Sequence, residues 1–313
     1  MTSISVVMSV YNGAKTLAET IDSILAQTER DFEFIIVDDG STDETPAVLA
    51  AYATRDSRIR GIRQENGGLT RALIAGCDAA RGDLIARQDC GDLSRADRLR
   101  RQKALFDASH ELAFVSCWTQ FAGPELEPLF ERRGNGPALS PISILDPERP
   151  EVVIDGPTCH PSVMFRREAY ERAGGYRAEF YFGQDWDLWY RLGAVGKFQI
   201  IPDFLYYARV TPESISTANR SAQQAIGALS YEALVTRGHG QSDAGVLQRA
   251  AAIRSKGYRS FFARARGLYF IGEALRRRGD ARGRTYLRRA IAACPLLVTA
   301  WIRYAQSLIG SRR

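Results

Sequence analysis

The chain has 313 residues, 45% of them hydrophobic and 25% charged, which is ordinary for a globular protein with enough length to bury a real core and excludes a disordered or fibrous one. Five scattered cysteines (Cys77, Cys90, Cys117, Cys159, Cys294) without CxxC spacing exclude a disulfide framework and signal no zinc site. The net charge of +6 conceals an asymmetry: residues 220–313 carry 18 Lys and Arg against 4 Asp and Glu, whereas residues 1–219 carry 24 against 32.

A basic tail on an acidic body fits a solvated helical face, an anionic membrane surface, nucleic acid or an acidic partner. No apolar run approaches the roughly 20 residues that span a bilayer. The opening MTSISVVMSVYNG lacks the charged start of a signal peptide. A cytoplasmic location is therefore expected.

In chain order, Ile4–Val10 is a β-rich apolar run that ends at Tyr11-Asn12-Gly13, and Leu17, Ile21, Ile24 and Leu25 then recur at helical spacing. The unit repeats as strand 32–37, the turn Asp38-Asp39-Gly40-Ser41-Thr42-Asp43, and helix 45–52. A third strand near 59–63 leads through Asn66-Gly67-Gly68 into helix 69–80, and a fourth, 84–86, delivers the loop ARQDCGD. Alternation of this kind predicts an α/β fold with a mostly parallel sheet flanked by helices and right-handed crossovers. Ligands of such sheets sit beyond the carboxyl ends of the strands, so Asn12, Asp39 and Asp89 should converge. Residues 122–156, rich in Pro, Gly and Glu, read as an insertion over the site. Beyond it, Trp186, Leu188, Trp189 and Leu192 share a helix, 198–201 and 204–207 read as two strands, and everything after 216 reads as helical. Domains of 1–216 and 217–313 are expected.

No GxGxxG or Walker loop follows the first strand, which argues against dinucleotide or P-loop binding. Carboxylates at strand ends suit a nucleobase, a ribose, or a hard cation bridging a diphosphate. The blocks SVVMSVYNGAKTLAETIDSILAQT, FEFIIVDDGSTDET, ENGGLTRALIAGCDAARGDLIARQDCGD and CHPSVMFRREAYERAGGYRAEFYFGQDWDLWYRL resemble, in order and spacing, the inverting family 2 glycosyltransferases of the GT-A fold.

The resemblance implies a nucleoside diphosphate sugar as donor. Asp39 is the carboxylate that receives the base, and a carboxylate accepting from a pyrimidine N3–H favours uracil or thymine. Val10, Tyr11 and Asn12 frame the base and ribose, Asp89 faces the ribose, and Arg71 approaches the diphosphate. Asp185 is the general base that takes the proton of the acceptor hydroxyl. Gln184 stands where the family usually has Glu, which removes a neighbouring charge and should leave the pKa of Asp185 less raised. His160 and Trp186 line the acceptor side; Trp189 is either a second platform ring or core, with core packing expected of at least one of the two tryptophans, while Asp187 and Arg191 pair as structural support.

Two departures concern the cation, Mn or Mg, that relatives use. Gly91 replaces the second acid of their Asp-any-Asp-Asp loop, and Thr211 replaces a ligating histidine. Asp92 is then the remaining candidate ligand, and Arg87 and Arg209 are the candidate cations for a diphosphate bound without metal. A non-catalytic scaffold on the same fold is the rival reading. The family context makes a glycan or lipid-linked glycan the expected acceptor. Nucleic acid is not expected as a partner, because the tail carries no reading motif. The tail, weakly similar to one tetratricopeptide hairpin around Leu287, Ala290 and Pro295, would either cap the catalytic domain or lie peripherally on a membrane through its Arg-flanked final helix.

Overall fold

The computed structural model describes residues 3–134, 156–212, 220–253 and 261–309. The boundary expected at 216 and most of the 122–156 insertion lie outside them. Two compact units form. The first comprises Met1–Thr119, Arg132–Tyr207 and Ala225–Ile253, and the second Gln120–Glu131, Ala208–Gln224 and Arg254–Arg313.

Four parallel strands carry the first half of the chain: β1 (Ile4–Val10), β2 (Phe32–Asp38), β3 (Ile59–Arg63) and β4 (Leu84–Asp89). They alternate with α1 (Ala14–Leu25), α2 (Thr45–Arg55) and α3 (Leu69–Asp78). After β5 (Leu93–Ser94) and α4 (Arg98–Ala108) come β6 (Leu112–Ala122), β7 (Pro128–Arg132), β8 (Met164–Arg166), α5 (Arg167–Arg172), α6 (Gln184–Val195) and β9 (Lys197–Arg209). The strand order is β3-β2-β1-β4-β8-β6-β9-β5, with β7 on β6. The sheet is parallel from β3 to β4, while β8 runs antiparallel to both β4 and β6, and β5 antiparallel to β9.

Three expectations change in detail. The two strands predicted at 198–201 and 204–207 are one, because Pro202 between them is exposed and its missing N–H costs the ladder nothing. Part of the presumed insertion, Pro128–Arg132, is strand β7. The described tail segments, 220–253 and 261–309, are mainly helical as read, but Ala225–Ile253 belongs with the first unit.

Both faces of the parallel half are covered, which is why its strands read as near-continuous apolar runs. Val7, Ile35, Val37 and Ile85 pack with Ala72, Leu73 and Cys77 of α3 and Leu188, Trp189 and Leu192 of α6. On the other face Val6, Met8, Phe34 and Ile36 meet Leu17, Ile21 and Ile24 of α1, Leu49 of α2, and Leu99 and Phe106 of α4. The chain runs outward from β1 to β3 and returns on the far side of β1 as β4. The crevice between the carboxyl ends of β1 and β4 is thus the switch point where such sheets bind ligands.

Candidate active site

The strand register sets the site: Val10 lies opposite Asp38, and Ser9 opposite Asp89. The three polar turns therefore emerge from adjacent strands at one edge, as expected. Asn12 takes a positive φ of 51°, a conformation its short amide tolerates. Its N–H donates to Ser41 Oγ at 2.9 Å, and its Oδ1 accepts from Thr42 N at 2.8 Å. Asn12 staples the turn after β1 to the turn after β2, leaving its neighbour Tyr11 53% exposed.

Asp39 is 2% exposed. Its Oδ1 accepts from Gln64 Nε2 at 2.7 Å and Gly67 N at 2.9 Å, and its Oδ2 accepts from Gly68 N at 2.8 Å. A carboxylate has about four lone-pair sites, so one on Oδ2 is left for a ligand donor. Beside it opens a hollow lined by Gln64, Glu65, Asn66, Gly67 and Arg71. Arg71 is exposed in the first turn of α3.

On β4, side chains alternate between the faces. Arg87 and Asp89 share the α6 side, and Gln88 points toward α4. Arg87 is fully buried; it donates to Val7 O at 2.5 Å, Gln88 O at 3.1 Å and Asp89 Oδ1 at 2.7 Å. The expectation that Arg87 faces a diphosphate is corrected: its guanidinium serves the fold and the Asp89 side chain, which is 35% exposed. Cys90 is only partly exposed, and burial pushes its thiol up to about 12.

Gly91 has φ +99°, and its N–H donates to Thr20 Oγ1 at 2.9 Å. Asp92 is 7% exposed, and its Oδ2 accepts from the buried Tyr206 hydroxyl at 2.9 Å. The same hydroxyl accepts from Asp89 N at 3.2 Å. Asp92 therefore points into the fold, which is poor placement for the metal ligand it was expected to be. Among the described residues no three His, Cys, Asp or Glu side chains gather as a metal site. Arg209 and Thr211 belong to the second unit.

Asp185 stands in the first turn of α6, preceded by Gly183 at φ 62°. Its carboxyl is pushed up to about 6, chiefly by burial, with Asp89 adding to the rise and the backbone N–H groups of Trp186 and Asp185 and the charge of Arg87 opposing it. Desolvation is thus the main cause of the rise, beside a neutral neighbour at Gln184.

His160 sits on a short 3-10 turn, His160–Ser162, with its Nε2 2.6 Å from Tyr176 Oη. Burial and the Arg87 charge hold its pKa well below the usual imidazole range, so it is neutral. Trp189 is 3% exposed and belongs to the core, the packing role expected of at least one of the two tryptophans. Trp186 is half-buried, 5.0 Å centroid to centroid from Trp189 and 5.9 Å from Tyr190. Tyr190 feels both Asp185 and Tyr231 electrostatically. Tyr190 was overlooked although Trp186 and Tyr190 are spaced i, i+4; Tyr231, more than 40 residues away, gave no signal.

The next acid, Asp187, is fully buried and joins an ion cluster. Arg191 Nη2 lies 2.6 Å from its Oδ2 and Arg177 Nε 3.6 Å away, and Arg177 and Arg237 both reach Asp243, at 2.7 and 2.6 Å. This cluster ties α6 to Arg237 and Asp243 within the first unit.

The family model described as glycosyl transferase family 2 matches residues 5–174. Among curated proteins, the putative glycosyltransferase EpsE of Bacillus subtilis is 36% identical over 193 residues, 60% of this chain and 66% of that one. An uncharacterized glycosyltransferase of Methanocaldococcus jannaschii, MJ1057, is 30% identical over 221 residues, 66% of this chain and 70% of its own length. Chondroitin synthase of Escherichia coli is 26% identical over 222 residues, 71% of this chain but 31% of that protein. Several other relatives are matched over only about a third of their lengths, for example 33% of EpsJ of Bacillus subtilis. Among solved structures, S. aureus TarS 1-349 in complex with UDP aligns at TM-score 0.54 and 17% identity, covering 97% of this chain and 88% of that one. Its complex with UDP-GlcNAc aligns at 0.55 and 16%, covering 97% and 89%. These structures share the fold.

Proposed function

Because this chain belongs to glycosyl transferase family 2 and has the GT-A fold, we propose that it is an inverting transferase moving a sugar from a uridine diphosphate donor to a hydroxyl of a glycan. The observation that carries this reading is Asp185: a carboxylate in the first turn of a helix, pushed up to about 6 and close enough to Asp89 for the two to repel. A base poised near the working pH is what proton removal from a hydroxyl requires.

In the proposed reaction Asp185 takes the acceptor's proton as its oxygen bonds to the anomeric carbon. The bond from that carbon to the diphosphate breaks, and its electron pair leaves with the diphosphate. Attack opposite the leaving group inverts the centre. Asp39, with one acceptor site still open, receives the uracil N3–H; Tyr11 stacks on the base, Asp89 Oδ2 accepts from the ribose, and Arg71 meets the diphosphate. Trp186, Tyr190 and Tyr231 offer aromatic faces to acceptor sugar rings. The UDP and UDP-GlcNAc bound by TarS support a uridine donor. Chondroitin synthase, a polysaccharide-building enzyme by its name, supports a growing glycan as acceptor.

The second unit is proposed to rest on an anionic membrane. Between residues 261 and 309 ten arginines face two acids, Glu273 and Asp280. The final helix, Val298–Ile309, turns Ala300 inward and leaves Val298 64%, Trp301 50%, Ile302 50% and Leu308 49% exposed. Such a face pairs apolar insertion with basic attraction; docking onto a second copy would bring two strongly basic surfaces together. No described helix is long and apolar enough to cross a membrane.

Calorimetric titration with UDP, GDP, CDP and ADP tests the donor. UDP should bind at least about tenfold tighter than GDP or ADP, and Asp39→Ala should abolish the preference. Equal affinities would refute the base assignment. Sugar release from UDP-sugars only when an acceptor glycan is present would separate the transferase from a non-catalytic scaffold.

A further inference from the structure

We propose that the donor loop Asp89-Cys90-Gly91-Asp92 is charge-compensated from within the fold and holds its nucleotide without a divalent cation. This rests on the transferase reading above.

A hard cation is held by carboxylate oxygens that face it together and carry negative charge in excess of their surroundings. This loop has two carboxylates, and the fold sets two fully buried guanidiniums against them. Arg87 is bound to Asp89 Oδ1 at 2.7 Å. Arg98, also fully buried, has no ion pair among the described residues. It donates to Gln88 Oε1 at 3.1 Å, Ser94 Oγ at 2.7 Å, and the carbonyls of Arg87 and Pro161 at 2.7 and 3.0 Å. Its guanidinium carbon lies 4.9 Å from the centroid of the Tyr206 ring, and the hydroxyl of that ring is the one that donates to Asp92. Each acid thus has a buried cation behind it, directly or through one ring.

Two further carboxylates act on the loop through space. Asp43 bears on Cys90, but its oxygens accept from Ala14 N at 3.2 Å and Thr45 N at 2.9 Å. Asp185 bears on Asp89, and it is the proposed base. What the loop leaves open is one oxygen of Asp89, enough for a ribose hydroxyl. Gly91 supplies no side-chain oxygen between the two acids; a Cβ there would meet nothing closer than Thr16 Oγ1 at 3.5 Å, so space for a side chain exists and is unused.

The decisive measurement is titration of the full chain with Mn²⁺ alone, read by the loss of its free-ion EPR signal, beside UDP calorimetry in EDTA and in Mn²⁺. The wild-type protein should take up no Mn²⁺, and its UDP affinity should agree within about twofold in the two buffers. Mn²⁺ uptake by the nucleotide-free protein, or a gain of about tenfold or more in UDP affinity with Mn²⁺, would overturn the proposal. Gly91→Asp adds the uncompensated carboxylate and should acquire Mn²⁺ binding. Gly91→Asn, with the same positive φ and no charge, should not, and equal uptake by both variants would also overturn it. A Gly91→Asp protein that fails to fold leaves the wild-type titration decisive. Failure of UDP to bind in either buffer would refute the donor reading instead, while the Mn²⁺ titration without nucleotide still answers the cation question.

Discussion

Asp185 bears on catalysis and stability in opposite directions. Its proton is held more tightly in the folded chain than in the unfolded one, where a carboxyl titrates at 3.8 rather than about 6. Folding is therefore favoured by protonation, and stability falls as pH rises between those values, to remain lower above them. Asp185→Asn should abolish transfer and leave UDP affinity unchanged, yet melt higher than wild type at pH 8, with the difference vanishing below about pH 4. Wild-type turnover should itself fall as pH drops through about 6, which a pH profile of kcat will show. Arg87 makes the contrasting case. Arg87→Met frees Asp89 and strands the Val7 and Gln88 carbonyls, so it should cost about 2–3 kcal/mol in urea unfolding and weaken UDP binding.

At the level of elements, the helices Phe261–Arg277 and Arg282–Ala293 approach most closely through two glycines. A Cβ at Gly283 would stand 2.8 Å from Gly272 O and 2.9 Å from Arg276 N, both backbone atoms that cannot step aside. Gly283→Ala should therefore part the helices and destabilise the second unit by about 1–3 kcal/mol, seen as earlier loss of helical signal in urea. Tyr286 on the same pair donates to the buried Glu127 at 2.7 Å, tying the β6–β7 turn to the hairpin. Glu273, held down to about 2 first by Arg276 and then by Arg277 and Arg303, adds stability that is fully present above 4.5 and lost as pH falls toward 2.

For the whole molecule, the charge asymmetry concentrates on one unit what a membrane surface would recognise. Trp301→Glu combined with Ile302→Glu should release the protein from phosphatidylglycerol vesicles in a flotation assay while its melting temperature holds, since both side chains are half exposed. Retention by anionic vesicles would remove this face as the anchor. Point changes are the sounder test than truncation: Leu129 packs with Ala265, Ile271 and Leu275 in one cluster, so deleting the tail would strip a core.

Local pattern determined much of this protein. The β1-to-β4 alternation was legible because a strand buried on both faces must be apolar throughout, and because Asn12, Gly40 and Gly68 take the positive φ their turns demand. Asp39, Asp89 and Asp185 were legible as motif positions for the same reason: a short segment carries each of them whole. Tertiary structure alone decided which charges face outward. Arg87 reads in sequence as a cation fit for phosphate, yet it is fully buried, as is Arg98. Their burial follows from strand alternation combined with the packing of α4 and β9, elements far apart along the chain. Whether Asp92 meets solvent or the Tyr206 hydroxyl depends on a contact across 114 residues, and hydropathy along a chain does not register such a pairing, because desolvation is a property of what surrounds a group in space.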